Sequence, residues 1–357
     1  MKKKKKKHIG ILSFIIGIVI IVFFAVPTGK ENVVKPLWYN SVTKAEPLKN
    51  GQAEGRIWYR SGNIYGYTDL EGNIYLSEKS SFFTSITDSV YMDYSKVSEK
   101  FYIKNSDGIL LDGFKATGYP FFDKTGKRLL VVKTDLSGIS EITRNGQPKW
   151  KRDFISTITT VSVSKKLMVL GLLDGNMLIL DEKGEIIYQF KPGGSKIPII
   201  VGTAISDNEN TVACIFGLEP QNILIFKREN GNFALMFSKK TDTNFRRETL
   251  LKFGWNGDFL LAEDYHGVDI VDILSGKLVR TKLKGEIRDI SVLNNRMIAV
   301  IVSELNNRSY FDIVNQYGAT IFHTEFNGSA GPIREIKNHI IIIGIHGGIM
   351  RLDIEGV

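Results

Sequence analysis

The chain of 357 residues contains a single cysteine, Cys214. One thiol excludes an intrachain disulfide and any metal site built on cysteine pairs. Cys214 sits in the apolar run TVACIF, where it reads as a small buried hydrophobe. Charge of one sign is scarce in the body. The formal net charge is +9, but Lys2 to Lys7 supply +6 and residues 30–54 another +1, which leaves about +2 for residues 55–357. A body so nearly neutral lacks the basic footprint that phosphate-backbone binding requires, so nucleic acid is not an expected partner.

Catalytic signatures are missing as well. The nucleophile elbow G-x-S-x-G, the dinucleotide pattern G-x-G-x-x-G and the P-loop do not occur. Of the five histidines, His266 and His346 precede glycine at equivalent hairpin tips. Two imidazoles fall short of the three or four ligands zinc takes, and both read as turn residues. NSDG (105–108) and DLEGN (69–73) resemble fragments of a calcium loop but lack its spaced ligands and final Glu; turn chemistry accounts for them. No metal, cofactor or catalytic constellation is expected.

Long hydrophobic runs are limited to one, Ile9 to Val26. At helical rise these residues span roughly 27 Å, about one hydrocarbon core. Six lysines ahead of it favour an amino end kept in the cytoplasm and a remainder exported. A cleaved signal peptide would need small residues at positions −3 and −1, whereas a cut after Ala25 puts Phe23 at −3 and a cut after Gly29 puts Pro27 there. The reading is therefore a basic cytoplasmic tail (1–8), an uncleaved single-pass anchor (9–26) and a polar linker (27–54) with Pro36 and Pro47. Within that linker VVKPLWYNSV (33–42) is strand-like.

Residues 55–357 are repetitive. LLDGNMLILDEKGEIIYQF (172–190) holds three short strands separated by Asp-Gly and Glu-Lys-Gly turns. Turns like its second recur at Gly146, Gly184, Gly231, Gly276 and Gly318, with intervals of 38, 47, 45 and 42 residues. Glycine suits such tips because tight hairpin turns need positive φ. The strands, such as LMVLGLL (167–173), MIAVIV (297–302) and IIIIGI (340–345), are almost continuously apolar, as in sheets covered on both faces. Beyond the anchor no long stretch has helical periodicity, so other sheets must do the covering. Four-strand meanders recurring every 40 or so residues and packed around an axis make an all-β propeller. Hairpin signals centred near Gly72, Gly108, Gly138, Gly175, Pro220, Gly267, Asn307 and Gly347 predict eight blades, with seven as the alternative. The last unit ends after its third strand, and VVKPLWYNSV is the candidate to supply the fourth and close the ring.

The stretches DGNMLILDEKGEIIYQF (174–190) and LSGISEITRNGQPKW (136–150) resemble the repeat of pyrroloquinoline-quinone propellers. FFDKTGKRLLVV (121–132) and ISDNENTVACI (205–215) resemble the Asp-turn-strand of WD40-like exported propellers, although no Trp-Asp dipeptide is present. In architecture the chain is similar to the eight-bladed scaffold lipoproteins of the bacterial outer-membrane assembly machinery, without their lipidated cysteine. That resemblance implies a scaffold. The quinoprotein signature of a vicinal disulfide and a sialidase-type arginine triad are both absent.

What remains for function is surface. The second-to-third-strand turns and the blade-to-blade connections of a propeller share one face. Here the connections KPGGSKIP (191–198) and KKTDTNFRR (239–247) gather Lys191, Lys196, Lys239, Lys240, Phe245, Arg246 and Arg247 into a candidate partner-binding patch. The expectation is a non-catalytic interaction scaffold, anchored in the cytoplasmic membrane and presenting its propeller in the periplasm to envelope or membrane proteins. A ligand sensor, or a quinoprotein-like or hydrolytic enzyme with a site at the channel mouth, is the alternative.

Overall fold

In a computed structural model, residues 33–43, 55–337 and 339–355 are described. The expected tail and anchor, 1–26, and most of the linker lie outside them. No helix among the described residues is long and apolar enough to cross a membrane.

The described residues form eight antiparallel sheets, seven of four strands and one of three, which settles the blade number at eight. Each sheet is a meander. In blade 4, Ile158–Val163, Met168–Leu172, Met177–Leu180 and Ile186–Phe190 run from the inside outward. The middle strands are the greasy runs of the sequence, and Met168–Leu172 and Thr211–Leu218 are buried at every position. Such strands have no wet face, so they persist only between two other sheets. Eight apolar clusters supply that cover, one at each junction between consecutive blades. Val169, Ile179, Cys214 and Phe226, for example, interlock blades 4 and 5. Cys214 is fully buried there, and burial pushes its thiol well above the usual range.

The ring closes as the sequence suggests. Val33–Ser41 pairs antiparallel with Gly348–Glu355, Val34 opposite Ile354 and Ser41 opposite Gly348, and so becomes the outermost strand of blade 8. The edge of a strand ending the chain is thereby paired. Blade 1 is built differently from the other seven. Among the described residues it has three strands, Ile57–Ser61, Ile64–Thr68 and Ile74–Lys79, and Ile57–Ser61 takes the innermost place against blade 8.

Two of the eight hairpin signals belong to a different turn from the one assigned. Gly72 and Gly108 lie in outer turns, like Gly184, and not in central ones. The central turn of blade 2 is 95–99, between Val90–Tyr94 and Lys100–Asn105, and has no glycine. The Ser98 hydroxyl accepts the Ser95 N–H at 3.0 Å and shapes that turn instead.

The outer turns explain why glycine repeats. Gly184 has φ +76°, and a β-carbon there would lie 2.5 Å from the Trp150 ring of blade 3. Gly72 receives Trp38 in the same way, Gly146 receives Phe114 and Gly318 receives Val279. These outer turns thus provide the bare backbone on which the preceding blade's outer strand rests a side chain, whereas a β-carbon at Gly231 in the outer turn of blade 5 would have nothing within 4 Å.

Candidate interaction face

Strand order decides which loops share a face. The inner strands run from the blade-to-blade connections toward the first turns, so the connections and the central turns lie on one side of the ring, the junction face. All seven sequence-selected residues map to it. Lys191 and Lys196 flank the blade 4–5 connection, Lys239 and Lys240 end the outer strand Asn232–Lys240, and Phe245, Arg246 and Arg247 lie in the blade 5–6 connection.

Four of the seven enter definite contacts. Lys196 and Arg246 converge on Glu219 in the central turn of blade 5, at 3.0 and 3.9 Å. Lys196, with Arg246 beside it, holds the Glu219 carboxyl below its ordinary range. Arg247 grips Glu263, a carboxylate only 1% exposed, at 2.6 Å, and reaches Glu286 at 2.9 Å. Its guanidinium also covers the Phe245 ring, which meets Tyr265 edge-on at 4.7 Å between centroids. Lys191, Lys239 and Lys240 point to solvent. The patch is therefore two acid-neutralised clusters with three free lysines at their margin.

The blade 5–6 connection is held in place from beneath. The amide of buried Gln221 donates to the Gly217 and Phe245 carbonyls, while its oxygen accepts the Thr243 hydroxyl and the Phe245 N–H. Asn244 accepts the Glu219 N–H and gives its own backbone N–H to the Tyr265 hydroxyl. A loop with its polar groups so fully satisfied presents Phe245 and the arginines at fixed positions. Beside it a cleft of about 540 Å³ opens between Phe245, Arg247, Tyr265, His266 and Glu304.

The other half of the same face is apolar, and the sequence reading passed over it. Phe82, Val97, Leu136, Ile155 and Leu173 come from successive connections and central turns of blades 1 to 4, and all are exposed; Val97 is 87% exposed and Ile155 entirely so. Phe82 and Phe83 contact edge-on, and Phe83 packs on Tyr94 and Tyr119. Between Phe83, Tyr119, Leu136 and Ile158 runs a groove of about 610 Å³, with Lys96 and Glu248 also in its wall. Apolar side chains inside polar turns, as in SSFF, SKVS and DFIS, were the available signal. Grouped apolar exposure on one face of a folded domain marks an interaction surface more often than chance scatter.

A family model described as "beta-propeller protein" matches residues 1–357. An uncharacterized protein of Treponema pallidum (strain Nichols) is 19% identical over 367 residues, covering 100% of this chain and 97% of that protein. Among solved structures, BamB from Moraxella catarrhalis superposes with a TM-score of 0.60 at 13% identity, covering 90% of this chain and 100% of that one. At that identity the likeness speaks for the fold.

Proposed function

The chain belongs to the β-propeller protein family, and from that premise we propose that it is a non-catalytic protein–protein interaction scaffold that docks its partner on the junction face. The observation that carries the reading is the split of this face into an apolar groove over blades 1 to 4 and a rigid, ion-paired aromatic cluster over blades 5 to 7. An apolar centre beside charged, hydrogen-bonded elements is how specific interfaces are built. The occupant is a partner segment that lays apolar side chains into the groove and offers opposite charges to Lys96 and Glu248.

The location belongs to the same proposal. Residues 9–26 would anchor the chain in the cytoplasmic membrane, with the propeller outside the cytoplasm among envelope proteins. A tether raises the effective concentration of membrane-bound partners, so contacts of modest strength suffice. Likeness in fold to BamB is compatible with such a role.

Photo-crosslinking in intact cells tests the reading. A reactive residue placed at 82, 97, 155 or 246 should give one shared adduct, and the same residue at 274 or 317, in outer turns on the opposite face, should give none. Introducing Phe82→Ser with Leu136→Ser should remove the adduct from position 246. Adducts of equal yield from both faces, or none from the junction face, overturn the assignment.

A further inference from the structure

Away from the junction face the channel opens at its other mouth, where the inner strands of blades 3 to 6 end around a cavity of about 240 Å³. Phe121, Val161, Val163, Ile205 and Leu251 make much of the wall apolar. Into it come two lysines far apart in sequence. Lys124 stands in the first turn of blade 3, and Lys252 on the inner strand Leu251–Gly254 of blade 6. Both side chains line this one cavity. Among the described residues neither has a carboxylate within ion-pairing distance, 4.0 Å.

Of the acids nearby, Asp123 and Asp207 also line the cavity, and none is ion-paired with either lysine. Asp123 accepts the Lys127 and Arg128 N–H groups and the Thr125 hydroxyl. Asp289 accepts the N–H groups of Ile333 and Ile290. Arg334 is paired with Asp88, and the Ser162 hydroxyl is given to the Thr203 carbonyl. Asp207 and Glu335 act on the lysines only through space. Lys124 is itself exposed at this mouth, and the charge of Lys252 is the main influence that brings it down to about 8. Two ammonium groups lining one partly apolar cavity, neither paired with a carboxylate, repel each other unless one gives up its proton or an anion lies between them.

We propose that this mouth binds a compact, doubly charged oxyanion of the phosphate class, bridged by Lys124 and Lys252. Two ammonium donors lining one cavity, each with three N–H bonds to direct, match an anion with several acceptor oxygens and two charges. The cavity admits one such ion. Asp207 in its wall disfavours extended polyanions, in keeping with the nearly neutral body. Binding also couples to protons. The bound anion restores Lys124 to its charged form, so at pH 8, where about half of the Lys124 amines are free, binding takes up about half a proton per site.

Calorimetric titration of the full chain in non-ionic detergent with inorganic phosphate, at fixed ionic strength and pH 8, tests this. One saturable site is expected, with an apparent enthalpy that changes between two buffers of different ionisation enthalpy. Lys124→Met and Lys252→Met should each weaken binding by about tenfold or more, the loss of one charge-assisted bond, while Lys124→Arg should keep it. Glycerol 3-phosphate in place of phosphate tells a headgroup from the free ion: tighter binding assigns the site to phosphomonoesters, weaker binding to the inorganic ion, and both retain the oxyanion site. Unsaturable heat, or equal affinity in the wild type and both methionine variants, overturns it. Lys124→Arg guards against a folding artefact, since it keeps the charge at the same position.

Discussion

Trp150 on the outer strand of blade 3 rests on Gly184 in the outer turn of blade 4 and donates its indole N–H to the Glu182 carbonyl at 3.0 Å. Trp38 repeats the arrangement at the seam of the ring, over Gly72 and bonded to the Leu70 carbonyl at 2.8 Å. One latch thus joins blade to blade both within the chain and across its closure.

The latch predicts a coupling. Gly184→Ala combines positive φ, which costs a non-glycine residue about 1–2 kcal/mol, with a clash against the indole, so the loss should reach about 3 kcal/mol. Trp150→Ala removes the clash along with the bond. The double variant should therefore be more stable than the sum of the two losses predicts, as read from urea midpoints in a double-mutant cycle. Strict additivity would mean that ring and turn do not bear on each other.

At the seam the same chemistry governs closure. Trp38 is half-buried, Asn40 donates to the Gly72 carbonyl at 2.7 Å, and Arg351 shares the Leu70 carbonyl. Trp38→Ala should cost about 2 kcal/mol, below the range for a fully buried indole. Amide exchange should rise selectively along Gly348–Glu355, whose partner strand is loosened, while blades 4 to 6 keep their protection. Uniform acceleration in all blades would contradict a local seam.

Arg247 and Arg246, adjacent in sequence, have opposite roles. Arg247→Ala leaves Glu263 buried with only the Leu250 N–H as partner, and should cost about 2 kcal/mol, less than for a wholly buried pair because Arg247 is half-exposed. Adding Glu263→Gln should recover part of the loss. Arg246→Glu, at an exposed side chain 3.9 Å from Glu219, should leave the melting temperature within error. Partner capture that fails in Arg246→Glu therefore reports on docking, and failure in Arg247→Ala reports on the fold.

The ring, its all-β class and its closing strand were legible because greasy strands without helices leave only sheets to cover sheets. Misplaced turns arose where the signal was glycine alone. Outer turns such as those of Gly72, Gly146 and Gly184 need glycine to receive a neighbour's side chain, whereas the central turn of blade 2 is closed by Ser98 and is silent on that criterion. Loop positions of the basic residues could be read from the blade register. Their partners could not, since Glu219 in a central turn and Glu263 and Glu286 on strands of blades 6 and 7 meet Lys196, Arg246 and Arg247 only after folding. The lysine pair was hidden for the same reason: Lys124 and Lys252 are brought together by four inner strands around the channel.

Asp289 offers a test of the channel's electrostatics by pH. Its carboxylate accepts the Ile333 N–H at 2.7 Å and the Ile290 N–H at 2.9 Å. Burial nonetheless raises its proton affinity above the ordinary carboxylate range, against the pull of those bonds and of Lys252 and Arg334. A carboxyl that holds its proton more tightly folded than unfolded contributes stability at low pH that is lost as pH rises through the folded value. Asp289→Asn keeps an acceptor for Ile333 but cannot ionise. The wild type should therefore lose stability relative to the variant as pH climbs from about 4 toward neutrality, by about 1.4 kcal/mol for each unit of elevation. Urea midpoints at several pH values decide it, and parallel curves would mean that Asp289 carries its charge in the channel at no cost to the fold.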